Sequence, residues 1–366
     1  MIQFEINSKK VGVENQVYII AEAGVNHNGN IKQALQLIES AAEVGADAVK
    51  FQTFKGGDVT LKETKMAKYQ INNLGLYKTQ LEMLKELSLA YKYYPILFKK
   101  AKEKQITLLS TPSGGFKAVD VLEKFSITAY KIGSGDITNL PLLSYVALKQ
   151  KPIILSTGIS TISEINEALQ IILKSKNNNI GILHCTSSYP CPLKNVNLNV
   201  ITSLLKKYAY PVGYSDHTQG IDVAIYACLL GAKIIEKHIT LDKDLPGPDQ
   251  KNSLEPNEFK LMVKGIREIE KLSYKERKNR IKKIPELILG QKQKRPTKEE
   301  LLITKAIRKS IVWNRNLKKN HRILNIDLDI KRPGSGIHPR HYWSIIGKTT
   351  IKKIKKDSIV KPSDFI

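Results

Sequence analysis

Eight short runs rich in β-branched residues alternate with longer amphipathic segments between residues 17 and 275, and no other feature restricts the fold as much. The runs fall at 17–21, 48–51, 106–110, 129–132, 153–156, 180–184, 211–214 and 233–236. Between them, stretches such as 31–44 and 162–173 repeat apolar residues at i, i+3 and i+4, the spacing of one helix face. Strand-helix alternation implies a parallel sheet with helices outside it. Eight units in about 250 residues predict an α/β fold, a closed (β/α)8 TIM barrel over 1–275, in preference to an open sheet. Beyond Lys271 the pattern changes. Residues 276–302 are charged, lack clear periodicity and read as a linker. Residues 303–366 hold brief apolar pairs between turn residues, which predicts a small strand-rich unit. A unit of about 60 residues has little core of its own and needs docking for stability.

Composition narrows the partners. The formal net charge is +25, but the basic residues are spread along the chain, densest from Lys275 to Arg295, with no aromatic-interleaved or zinc-finger pattern. This is the pattern of a solvated lysine-rich surface, and nucleic acid is not expected as a partner. The positive field would draw in a phosphorylated carboxylate. No apolar run reaches the roughly 18 residues of a membrane span, and the first residues lack a signal-peptide pattern. Cys185, Cys191 and Cys228 are few and odd in number, as in a reducing cytoplasm.

Active sites of such barrels lie at the C-terminal ends of the strands. Polar residues collect there on every run: Glu22; Lys50 and Gln52; Thr111; Lys131 and Ser134; Ser156 and Thr157; His184, Ser187 and Tyr189; Ser215, Asp216 and His217; Glu236 and His238. One buried lysine or glutamate is costly unless paired, and eight converging ends are hard to explain by structure alone. Lys50 and Lys131 with Ser134, Ser156 and Ser215 make an anion pocket, since ammonium groups and hydroxyls suit phosphate. A single such serine would ordinarily be a turn or helix cap. His217 and His238 fall on neighbouring strand ends, where two imidazoles suit a divalent transition metal, with Glu22 and Asp249 as further groups. A lone histidine there would ordinarily make one hydrogen bond. Cys185 sits in an apolar run and is given no role.

These strand ends resemble the sialic acid synthase family. The matching stretches begin with Ile20-Ala21-Glu22-Ala23-Gly24-Val25-Asn26-His27-Asn28-Gly29, Lys50-Phe51-Gln52-Thr53 and Ser110-Thr111-Pro112. They continue with Tyr130-Lys131-Ile132-Gly133-Ser134-Gly135, Leu155-Ser156-Thr157-Gly158 and His184-Cys185-Thr186. Gly213-Tyr214-Ser215-Asp216-His217, Ile235-Glu236-Lys237-His238 and Pro246-Gly247-Pro248-Asp249 complete the barrel. Lys331-Arg332-Pro333-Gly334-Ser335-Gly336-Ile337 is similar to the antifreeze-protein-like (SAF) domain that follows the barrel in that family.

The resemblance implies condensation of phosphoenolpyruvate with an N-acylated mannosamine-type aldehyde, giving N-acetylneuraminate or N,N'-diacetyllegionaminate. It implies a divalent metal, manganese first, with magnesium or cobalt as alternatives, held by His217 and His238. Lys50, Thr111, Lys131, Ser134, Ser156 and Ser215 would bind phosphoenolpyruvate. Glu22 would be the acid/base group. Gln52, Tyr189, Asp249 and Arg332 would touch the sugar, Arg332 from the exchanged small domain of a partner in a swapped homodimer. Asp136 is counted with the substrate-binding residues, although glutamate is common there. Ser187 replaces an asparagine of some members, and Gln250 a common histidine; such differences bear on which sugar is used. Other phosphoenolpyruvate-dependent synthases bind a second phosphate, and the strand ends show no extra arginine cluster for one. A non-catalytic sugar binder would have little need of Glu22 beside two histidines.

Overall fold

The computed structural model describes residues 2–74 and 79–366. Two short antiparallel strands come first, β1 (Phe4–Ile6) and β2 (Lys9–Val11). Asn7 and Ser8 join them with φ of 47° and 69°, the left-handed pair that a two-residue hairpin turn needs. The sequence pattern did not reveal this hairpin, because three-residue strands are too short for a period.

The eight expected strands follow: β3 (Tyr18–Gly24), β4 (Ala48–Gln52), β5 (Thr107–Thr111), β6 (Tyr130–Ile132), β7 (Ile153–Ser156), β8 (Ile180–Cys185), β9 (Val212–Asp216) and β10 (Ile234–His238). They close into a parallel TIM barrel, with β10 returning to β3 so that His238 lies opposite Glu22. Helices cover the outside. One of them, Ile162–Lys174, starts with a Thr161/Glu164 capping box and buries Ile165, Ala168, Leu169 and Ile172. Each of the isoleucines and the leucine contributes about 1.5–3 kcal/mol, and Thr161→Ala would remove about 1 kcal/mol of cap.

Strand side chains alternate between two environments. Ile19, Val49, Leu108, Ile153, Ile182 and Tyr214 belong to the large core shared with the helices. Tyr18, Ile20, Ala48, Leu109, Ala129, Ile154, Leu183 and Ile234 fill the barrel interior, where Phe4, Ile6 and Val11 of the hairpin join them. Two residues beyond each inward position, at the upper end of its strand, the period of two brings another side chain to the same interior.

The segment 276–302 differs from the irregular linker expected. Helices Tyr274–Ile281, Glu286–Leu289 and Lys298–Ile307 cover much of it and its flanks. The first buries no residue, so it lacks the apolar stripe that a sequence reading relies on; a Ser273/Glu276 capping box starts it. The small unit contains a two-stranded sheet, β11 (Ser310–Trp313) with β12 (Leu328–Lys331), around Trp313, Ile311, Ile323 and Ile330. It docks on the barrel through backbone bonds from Leu61 N to Arg332 O (3.0 Å) and from Arg332 N to Val59 O (2.9 Å).

Candidate active site

Glu22, Lys50, Thr111, Lys131, Ser156, Ser215 and Glu236 occupy the inward upper positions of seven strands and line one cavity. Gln52, Ser134, Asp136, Ser187, Tyr189, His217, His238, Asp249 and Arg332 line it too. Thr157, His184 and Asp216 do not; Asp216 sits on the alternate parity of β9 and pairs with fully buried Lys237 at 2.7 Å.

The centre is an alternating arrangement of charge. Lys50 is in direct contact with Glu22 and lies 3.7 Å from Glu236; Lys131 meets Glu236 at 2.8 Å. Ser215 donates to Glu236 at 3.0 Å, and Lys50 donates to Thr111 at 3.2 Å. Burial opposes the Glu236 charge, but the Lys131 and Lys50 ammonium groups outweigh it and hold the carboxyl down at about 2. Glu22 goes the other way. Burial raises it, Glu236 adds repulsion, and Lys50 only partly offsets both. Two carboxylates a few ångströms apart are thus driven in opposite directions, the pattern that separates an acid/base group from a fixed charge. Ser156 Oγ is buried without a protein hydrogen-bond partner, a hydroxyl open to a ligand.

Beside this charge cluster stand the two histidines, ring centroids 5.8 Å apart. His217 Nδ1 donates to Thr186 O at 2.8 Å, which assigns the tautomer and leaves the Nε2 lone pair facing Tyr189 OH at 3.0 Å. His238 Nδ1 is buried and unpartnered, and burial together with His217 keeps that ring well below the usual histidine range. Asp249 carries a buried, unpartnered Oδ1, and burial with Glu22 nearby pushes it up to about 6. Among the described residues no three histidine, cysteine or acidic side chains converge as a complete metal set. Two imidazoles, His238 with an unpartnered nitrogen and His217 with an Nε2 shared only with the Tyr189 hydroxyl, would fit a divalent ion with positions left for substrate and water.

Two candidates are more committed than expected. Asp136 is bonded to Lys309 (2.9 Å) and to Asn139 (2.9 Å). Arg332 donates to Gln80 at 3.3 Å and lines the cavity. The sequence reading missed two features. Glu236 was noted only as a strand end, although its parity with Ile234 marks it as inward. An apolar wall of Val25, Phe54, Val59, Met83, Leu84 and Leu87 also lines the cavity, mostly from the long excursion between β4 and β5.

Comparison with known proteins identifies the family. The NeuB family model matches residues 37–278, and the SAF domain model matches residues 308–366. The chain belongs to the NeuB family. It is 41% identical over 345 residues to N,N'-diacetyllegionaminic acid synthase of Campylobacter jejuni, covering 94% of this chain and 98% of that one. Its identity to the Legionella pneumophila enzyme of the same name is 40%, with 93% and 92% covered. The crystal structure of spore coat polysaccharide biosynthesis protein SpsE from Bacillus subtilis superposes with a TM-score of 0.84 at 35% identity, covering 100% and 99%. As a NeuB-family enzyme the chain is a phosphoenolpyruvate-dependent nonulosonic acid synthase. NeuB enzymes typically use a divalent metal. No helix among the described residues is long and apolar enough to cross a membrane.

Proposed function

We propose that the acceptor is a 2,4-diacetamido-2,4,6-trideoxy sugar aldehyde and the product an N,N'-diacetyllegionaminate-type acid. The apolar wall carries this reading. Val25, Phe54, Val59, Met83, Leu84 and Leu87 face the same cavity as Gln52, Asp249 and Arg332. A sugar with two acetyl methyls and a 6-methyl group presents apolar surface to such a wall. N-acetylmannosamine would place hydroxyls there, each costing about 1–3 kcal/mol if left unsatisfied. The names of the Campylobacter and Legionella relatives support the same choice.

In the mechanism we infer, Lys50 and Lys131 with the hydroxyls of Thr111, Ser134, Ser156 and Ser215 hold the phosphate and carboxylate of phosphoenolpyruvate. C3 of phosphoenolpyruvate bonds to the sugar aldehyde carbon, the C=O π pair passing to the oxygen, which takes up a proton to become a hydroxyl, and water adds to the electron-poor C2. Glu22 takes the proton of that water, a task suited to a carboxyl raised by burial. The tetrahedral centre collapses with C–O cleavage and releases phosphate. His217 and His238 would hold the divalent ion, which when bound supplies Lewis-acid polarisation of an oxygen. Gln52, Tyr189, Asp249 and Arg332 orient the sugar.

Mass spectrometry of products tests the choice, with each sugar offered separately alongside phosphoenolpyruvate. The expected result is a diacetylated nonulosonate formed at much higher kcat/KM. Preferential use of N-acetylmannosamine would overturn it.

A further inference from the structure

Four charged side chains between residues 294 and 309 reach into the loops that follow four consecutive barrel strands. Lys309 Nζ donates to Ser113 O after β5 (3.0 Å) and pairs with Asp136 after β6 (2.9 Å). Arg308 spreads its guanidinium between Ser134 O after β6 (3.1 Å) and Ile159 O after β7 (2.8 Å). Glu300 Oε1 accepts from Ile159 N after β7 (2.7 Å) and from Ser187 N after β8 (2.8 Å). Lys294 Nζ donates to Cys185 O at the end of β8 (3.1 Å).

Glu300 is the centre of this set. It is the fourth residue of a Thr297/Glu300 capping box, and such a glutamate ordinarily lies at a solvated helix start. Here it is 1% exposed, with Oε2 on Thr297 N and Oε1 shared by two barrel loops. The Ile159 N–H it accepts from belongs to a β-branched residue at φ 57°, a left-handed conformation that costs about 1–3 kcal/mol and persists only where its surroundings enforce it. Glu300 on the N–H and Arg308 on the C=O supply that enforcement. Next to it, Gly158 N donates to Ser134 Oγ at 2.9 Å, and the packing leaves no room for a Cβ between Ser134 and Ser187. The loops so fixed carry Ser134 and lie directly beyond Ser156, the hydroxyls of the anion half of the cavity.

We propose that Glu300 and Arg308 are positioning residues that pre-order the phosphate-binding half of the site, so that the segment joining barrel and small unit acts as a clamp on the loops after β6, β7 and β8. The proposal rests on the phosphoenolpyruvate reading above and assigns it two residues that touch no substrate. Preorganised donors bind an anion without first having to be ordered, so loss of the clamp falls first on phosphoenolpyruvate and reaches the sugar only through Tyr189, two residues beyond Ser187.

The test measures phosphoenolpyruvate and inorganic phosphate binding by calorimetry, without sugar, together with both KM values. Glu300→Ala is expected to raise the Kd and KM for phosphoenolpyruvate about 10-fold or more, on the scale of losing an outer-shell partner. The sugar KM should rise clearly less than that for phosphoenolpyruvate. Glu300→Gln keeps an acceptor for both N–H groups and should recover most of the affinity, and Lys298→Ala, on the exposed side of the same helix, should match wild type. Should the alanine chain fail to fold, Arg308→Lys, which keeps the charge and loses the fork, must show the same anion-selective loss. Folded Glu300→Ala or Arg308→Lys protein that binds both anions as wild type does would overturn the clamp, as would equal rises in both KM values. Wild-type protein that binds phosphoenolpyruvate but consumes neither sugar would sink the acceptor assignment and leave the clamp to be judged on binding alone.

Discussion

Replacing Glu236 by glutamine removes one negative charge from a cluster of two lysines and two glutamates and leaves the shape nearly unchanged. In the folded chain Glu236 is held at about 2, against 4.5 for the ordinary carboxyl, and is 4% exposed. At about 1.4 kcal/mol for each pKa unit, that difference corresponds to about 3 kcal/mol of stability at neutral pH. The figure agrees with the roughly 3–5 kcal/mol usually lost when one partner of a buried ion pair is removed. Because the folded value lies below the unfolded one, the contribution is complete above about pH 4.5 and is lost as the pH falls toward about 2. Urea unfolding of wild type and Glu236→Gln at a series of pH values from 7 to 3 reads it directly. The expected result is a gap of about 3 kcal/mol at pH 7 that narrows below about pH 4.5, with a melting temperature lower by about 4 °C. Phosphoenolpyruvate brings its own negative charge to Lys50 and Lys131, so saturating ligand should raise the melting temperature of the variant more than that of wild type. Equal stability of the two proteins between pH 7 and pH 4 would refute the reasoning, since it would mean that the lysines carry no charge needing Glu236.

Other outcomes follow from the same cavity. Glu22→Gln should lower turnover about 10²–10⁴-fold while calorimetry still shows phosphoenolpyruvate binding; near-normal turnover would assign water activation to another group. Chelation should abolish activity and manganese restore it, and His217→Ala should lose bound metal by elemental analysis as well as turnover. Full activity in excess chelator would remove the metal from the mechanism. Arg332→Ala should raise the sugar KM with little change for phosphoenolpyruvate. Exchange of the small unit in a homodimer would preserve the contacts Arg332 makes, now between subunits. With exchange, mixing Glu22→Gln and Arg332→Ala subunits should restore one site per heterodimer; no recovery after verified mixing would keep the arginine within its own chain.

The barrel was legible because each of its strands falls in a short apolar run and the intervening helices keep a clear apolar face, as in Ile162–Lys174. Strand-end chemistry was legible for a related reason: a lysine or glutamate in or directly after such a run is costly to bury without a partner, so several together mark a polar site. Glu236 was visible in principle through its parity with Ile234, but that signal needs the register of the closed barrel to tell inward from outward. The apolar wall was not legible. Residues 53–88 form no repeating pattern, and their approach to the cavity depends on how Phe54, Met83 and Leu87 pack against one another. Glu300 was hidden because a charged capping box reads as a solvated helix start until tertiary contacts bury it.

The apolar wall adds no strand to the barrel and supplies none of the charged groups at its centre. On the proposed reading the apolar part of acceptor choice lies mostly on an excursion between two strands, and the condensation chemistry on the strand ends themselves. A lineage could retune which sugar enters by altering the excursion alone while its catalytic ring stays fixed. A chimera carrying residues 53–88 of a relative with another acceptor would show whether preference travels with that cassette.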